Sequence, residues 1–91
     1  MKNAQYNSRD IKKTCETKLE IVFRDAGEYN GWYWLNGKKV ARITVPKGRK
    51  FVPVGTYANM ARQLKLQASE FDLLLDCPLN KAAYDQKISS R

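Results

Sequence analysis

Apolar residues recur every fourth position at Ile11, Cys15 and Leu19. This is a narrow helical stripe, and Asn7 or Ser8 can cap a helix that runs to about Lys18. The period then drops to two. In "LEIVFRD", Leu19, Ile21 and Phe23 alternate with Glu20, Val22 and Arg24, as in a strand covered on one side. "DAGEYNG" reads as a loop. After it, "GWYWLNGKKVARITV" places Asn36-Gly37 between two segments rich in β-formers. That dipeptide suits a two-residue type I′ hairpin, because both central positions need positive φ. Pro46 closes the third strand, and "FVPV" adds at most a short edge segment, since Pro53 cannot donate to a central ladder.

Helical spacing returns in "YANMARQLKL", with Tyr57, Met60, Ala61 and Leu64 on one side and Thr56 as a natural cap. Ser69 and Asp72 then resemble a capping box, with Phe71, Leu74 and Leu75 inward. Pro78 interrupts or restarts the helix, and "LNKAAYDQKI" supplies a last helical piece in which Leu79, Ala83 and Tyr84 are partly packed. The order of helix, three strands, helix and C-terminal helical additions predicts an α+β domain with its helices gathered on one face of an antiparallel sheet. A chain of 91 residues is expected to form one domain. Residues 1–7 are expected to fray, residues 8–76 to form the core and residues 77–91 to extend it.

The turn sets an expected register. Leu35 should face Lys38, Trp34 face Lys39, Tyr33 face Val40 and Trp32 face Ala41. Alternation then gives one side Trp32, Trp34, Lys39, Ala41, Ile43 and Val45, which looks buried. Tyr33, Leu35, Lys38, Val40, Arg42 and Thr44 would face outward, with Tyr33 near two cations.

Charge sharpens this picture. Seventeen Lys and Arg against nine Asp and Glu give a formal +8, a field that attracts nucleic acid or an acidic partner, or in the blander reading keeps the protein in solution. Its distribution says more. No acid occurs from Tyr29 through Ser69, a span that contains Lys38, Lys39, Arg42, Lys47, Arg49, Lys50, Arg62 and Lys65. Solubility alone would not require such segregation. Lys38, Arg42, Lys47, Arg49 and Lys50 are the expected phosphate-binding residues, and Tyr33 the expected stacking surface for a base. Lysine also simply tolerates the position after a hairpin turn, and "KGRK" can be read as a plain solvated loop.

Catalytic equipment is sparse. The chain has no His, the usual acid or base at neutral pH. Its acids form no convincing metal site, and no glycine-rich phosphate loop or dinucleotide fingerprint appears, so no cofactor is expected. Cys15 and Cys77, 62 positions apart, match neither a disulfide framework nor a zinc set and read as reduced small hydrophobes in a cytoplasmic protein. The polar start "MKNAQYNSRD" argues against a secretory signal, and no apolar run approaches the length of a membrane span.

The stretch "ARITVPKGRKFVPVGTYANMARQLKLQASEFDLLL" resembles the HicA or YcfA-like mRNA interferase toxins: a strand ending in Val45-Pro46, a basic loop, a helix start at Gly55-Thr56, Met60 and Leu64 inward, then Glu70-Phe71 leading into another helix. The resemblance implies a small fold similar to a double-stranded RNA-binding domain, action on messenger RNA and an antitoxin-like partner. It also implies a catalytic histidine after a glycine at the start of the second strand. Here that neighbourhood is Gly27-Glu28-Tyr29-Asn30. A carboxylic acid titrating near ~4 and a phenol near ~10 do not replace an imidazole directly. The expected function is therefore RNA binding without catalysis. DNA stays open, because phosphate contacts carry little identity. Two alternatives are an interferase using Glu28 or Tyr29, and an interaction module that docks an acidic protein or pairs with its own copy through residues such as Leu73 and Leu79.

Overall fold

In the computed structural model, which describes residues 2–48, 51–76 and 79–89, Asn7 starts the first helix through a reciprocal pair of bonds. Its side-chain oxygen accepts from the Asp10 amide at 2.9 Å, while the Asp10 carboxylate accepts from the Asn7 amide at 3.1 Å. Two donors otherwise orphaned near a helix start are thereby satisfied. This helix, α1 (Ser8–Lys18), buries Ile11 and Cys15, and Leu19 completes the stripe.

The strands β1 (Val22–Ala26), β2 (Glu28–Leu35) and β3 (Lys38–Val45) form an antiparallel meander in the order β1-β2-β3. Three helices follow: α2 (Val54–Gln63), α3 (Ala68–Leu75) and α4 (Lys81–Ser89). The protein is thus an α+β domain of helix, three strands and helix, with two further C-terminal helices. Helices α1 and α2 pack on the sheet and α3 packs on both. Their apolar stripes meet Tyr33, Ala41, Ile43 and Val45 in one core, with Tyr57, Met60, Leu64, Phe71 and Leu74 essentially unexposed. Each such side chain contributes about 1.5–3 kcal/mol. The last helix is secured differently: Tyr84 meets Tyr33 edge-on at 4.8 Å between centroids, and its hydroxyl donates to the Leu64 carbonyl at 2.8 Å.

Several boundaries differ from the sequence pattern, each for a local reason. The first strand opens at Val22 instead of Leu19, because Glu20 turns the chain with φ +56°. The loop expected over "DAGEYNG" is mostly strand: Gly27, at φ +82°, lets β1 and β2 join so tightly that Ala26 pairs with Glu28. Helix α2 begins at Val54 after Pro53, so Thr56 lies inside it and does not cap it. At α3 the Glu70 carboxylate accepts from the Gln67 amide at 2.8 Å. The expected Ser69 and Asp72 box is absent, because Asp72 is buried and accepts from the Tyr57 hydroxyl and the Lys2 amide. Residues 2–7, expected to fray, are held to the far part of the chain by that Lys2 bond, by Asn3 donating to the Val52 carbonyl and by Tyr6 donating to Asp76. Pro78 and Cys77 lie outside the described residues.

The Glu20 conformation gives a small test. A left-handed non-glycine residue costs about 1–2 kcal/mol, partly offset by the larger chain entropy that glycine loses on folding. Glu20→Gly should raise stability in urea by roughly 0.5–1 kcal/mol, and an unchanged or lower midpoint would contradict the conformation.

The hairpin register carries the main correction. Asn36 and Gly37 have φ +53° and +78°, as the type I′ turn requires, and Leu35 pairs with Lys38 and Trp34 with Lys39 as expected. A bulge then intervenes. Tyr33 pairs with Ala41 instead of Val40, and Trp32 with Arg42 instead of Ala41. One extra residue in β3 reverses β2 against it. Ala41, Ile43 and Val45 still face the helices, but Tyr33 joins them while Trp32 and Trp34 turn to the other side.

Candidate functional site

Helices cover one face of the meander, and the other is open. On that face the register places Val22, Trp32 and Arg42 side by side across the three strands, and Arg24, Asn30 and Thr44 in the next row. Trp34 and Lys39 form a third pair toward the hairpin tip. Val22 is 81% exposed and Trp34 54%, with Trp32 half-buried. The Lys39 ammonium lies 5.0 Å from the Trp32 ring centroid and 5.3 Å from that of Trp34. Among the described residues neither Lys39, Arg42 nor Arg24 takes part in an ion pair. The Thr44 hydroxyl donates to Asn30 at 2.9 Å, a polar cross-strand pair on the same face.

The residues singled out in the sequence are distributed along this sheet. Arg42 lies on the open face at its middle. Lys38, expected beside Arg42, sits at the hairpin tip opposite Leu35 and so on the side of Tyr33, because the bulge separates it from the open face. Lys47 lies beyond the other end of β3, roughly 24 Å or more away by the rise of eight extended residues. Lys47 is ion-paired with Asp25, whose carboxylate raises its pKa. Arg49 and Lys50 fall outside the described residues. Tyr33 is not at the surface: it is 1% exposed, and its hydroxyl donates to Asp85 on α4. It therefore cannot stack on a base. On the open face the aromatic rings beside cations are Trp32 and Trp34, which the sequence pattern had assigned to the core. Leu79 is likewise buried, whereas Leu73 is exposed as expected.

The neighbourhood where the resemblance puts a histidine is also defined. Glu28 opens β2 and is exposed, while Tyr29 is half-buried beside an open groove of about 690 Å³. Arg9, Lys12 and Lys13 of α1 line its other side together with the carboxylates of Asp10 and Glu16. Lys12 lies 4.9 Å and Lys47 5.4 Å from the Tyr29 ring. The cations here are largely answered by local acids, with Lys12 bonded to Glu16 at 2.9 Å and Lys47 to Asp25. Cys15 is fully buried, and burial, with Glu16 adding to it, pushes its thiol up to about 12. Such a thiol is a packing group and a poor nucleophile at neutral pH. Among the described residues no three His, Cys, Asp or Glu side chains are grouped to hold a metal, and no helix is long and apolar enough to cross a membrane.

Comparison with protein-family models, with curated proteins and with solved structures gives no match for the chain.

Proposed function

We propose that the protein binds RNA without cleaving it, on a scaffold with the element order that the resemblance to the HicA family implies. The observation that carries this reading is the open sheet face, where Lys39 and Arg42, from a span that contains no acid from Tyr29 through Ser69, stand beside outward tryptophans, with Arg24 of β1 adding a third cation. Phosphates are held there by charge and by release of their counterions, without any requirement for base sequence. Lys38 at the hairpin tip and Lys47, ion-paired with Asp25 beyond the other end of β3, lie off this face and add cations at its two ends. Arg49 and Lys50 follow Lys47 in the sequence. The groove beside Tyr29 sets Arg9, Lys12 and Lys13 against Asp10 and Glu16, so its cations are largely answered locally, and it offers no imidazole as a base.

The test is RNA affinity measured by fluorescence anisotropy across a series of salt concentrations. Each lost phosphate contact should flatten the log–log slope by about 0.7 for a single strand. Arg42→Ala should therefore flatten it by about 0.7, and Lys47→Ala, Arg49→Ala and Lys50→Ala together by about 2. Unchanged affinity and slope in both variants would overturn the reading. Fragments accumulating on prolonged incubation of the purified protein with messenger RNA would overturn its non-catalytic part.

A further inference from the structure

The open face carries more than charge. The chain has two tryptophans, Trp32 and Trp34, and alternation along β2 puts both on the side that no helix covers. They are about 7 Å apart along the strand, adjacent platforms of the same kind. Val22 extends the apolar surface beside Trp32, while Arg42 and Lys39 flank the rings on β3. We infer that this face binds single-stranded RNA by stacking unpaired bases on Trp34 and Trp32, with Arg42 and Lys39 taking the intervening phosphates.

The inference rests on the RNA-binding reading and narrows it to one form of RNA. A duplex keeps its bases stacked on one another and presents phosphates and sugars to a protein, so it has no use for exposed indoles. Unpaired bases offer a π-face whatever their identity. The present partner of the rings is Lys39, and the magnitudes favour its replacement. An exposed cation–π contact is worth about 0.5–1 kcal/mol, whereas stacking of a base on an aromatic side chain is worth about 1–3 kcal/mol. A base can therefore displace the ammonium group, which is then free to turn toward a phosphate. The length of β3 suits about four nucleotides, the lower end of single-strand site sizes on small domains.

The other occupant that an exposed Trp and Val suggest is a second copy of the chain. Charge argues against it. A two-fold contact through this face would bring Arg24, Lys39 and Arg42 against their own equivalents, in a protein of formal charge +8. The same cations complement a polyanion.

Because both tryptophans lie on this face, tryptophan fluorescence, excited beyond the absorption of the five tyrosines, reports on it alone. The experiment titrates the whole protein with oligouridylate of about twelve nucleotides, with oligoadenylate of the same length and with the annealed duplex. Expected are quenching by the single strands, weaker binding of the duplex, and a loss of about five- to hundredfold in single-strand affinity in Trp34→Ala. The salt slope of that variant should stay unchanged, since stacking releases no counterions, and Trp34→Phe should recover most of the affinity. Trp34 is already half in solvent, so circular dichroism should show both variants folded. Equal affinity for duplex and single strand with no quenching, or full affinity in Trp34→Ala, would overturn the stacking platform while leaving RNA binding intact. Absence of binding to any of the three RNAs at low salt would remove both readings. A dimer in sedimentation that Trp34→Ala dissociates would assign the face to self-association instead.

Discussion

Tyr33→Ala is expected to cost about 3–5 kcal/mol, a large part of the roughly 5–15 kcal/mol that stabilises a typical small domain. The sequence pattern would predict the opposite. An outward Tyr33 could be truncated at little cost to stability, within about 0.5 kcal/mol, and the loss would appear in RNA affinity. In the structure its ring is buried against Tyr84 and its hydroxyl bonds Asp85, so removal opens the joint between the sheet and α4. Tyr33→Phe separates the two contributions. It keeps the ring and should cost only about 1–2 kcal/mol, with Asp85 still beside Lys81 at 3.6 Å. Burial first, and then the bond to Asp85, push the Tyr33 phenol up to about 12, above its usual value near ~10. The folded chain thus holds this proton more tightly than the unfolded one. The resulting stabilisation is full below the unfolded value and is lost as pH rises through the folded one. Urea denaturation followed by circular dichroism from about pH 9 to about pH 12 should therefore show the native protein losing more stability than Tyr33→Phe. Parallel curves, or a Tyr33→Ala protein as stable as the native one, would return Tyr33 to the surface.

What the sequence made legible, and what it hid, follows from the range of the interactions concerned. The Asn36-Gly37 turn, the stripe of Ile11, Cys15 and Leu19, and the inward set of Ala41, Ile43 and Val45 depend on neighbours within a few residues, and all are in place. The orientation of "WYW" depends on two things that local pattern does not carry. One is a bulge that inserts a single residue of β3 and leaves the turn unaltered. The other is what makes the burial of this tyrosine tolerable: its hydroxyl finds a partner in Asp85, 52 positions away. The same inversion moved the candidate stacking residues from Tyr33 to its two neighbours. The cationic character of the face was readable only in part: Arg42 kept its expected side, whereas Lys39, expected inward, is on the open face and Lys38 lies with Leu35 on the other. Its aromatic content was assigned to the wrong residues of the right tripeptide.

Gly31→Val supplies the other large effect, and its sign distinguishes the two readings of the same stretch. Read as a strand residue without a side chain, Gly31 is a weak point, and valine would improve β-propensity by up to about 1 kcal/mol. The inner face of the sheet forbids it. A Cβ on Gly31 would lie 2.8 Å from Cε1 of Phe23, and nearer still to Cγ2 of Ile21. Both neighbours belong to or pack on the core, so neither can swing into solvent at no cost. Backbone conformation is not the obstacle, since Gly31 is not among the glycines with positive φ. Overpacking of this kind costs about 1–3 kcal/mol for one added group, and valine adds two more methyls at the same place. Gly31→Ala should therefore destabilise, and Gly31→Val should do so by more than 3 kcal/mol at this order of magnitude. Ile21→Ala removes the closest atom. It should cost about 2–5 kcal/mol by itself, yet the double variant Ile21→Ala with Gly31→Ala should fall short of the sum by about 1 kcal/mol or more, as residues in direct contact do. Additive losses would mean that the two side chains do not meet, and a stabilised Gly31→Val would mean that this part of β2 faces the solvent.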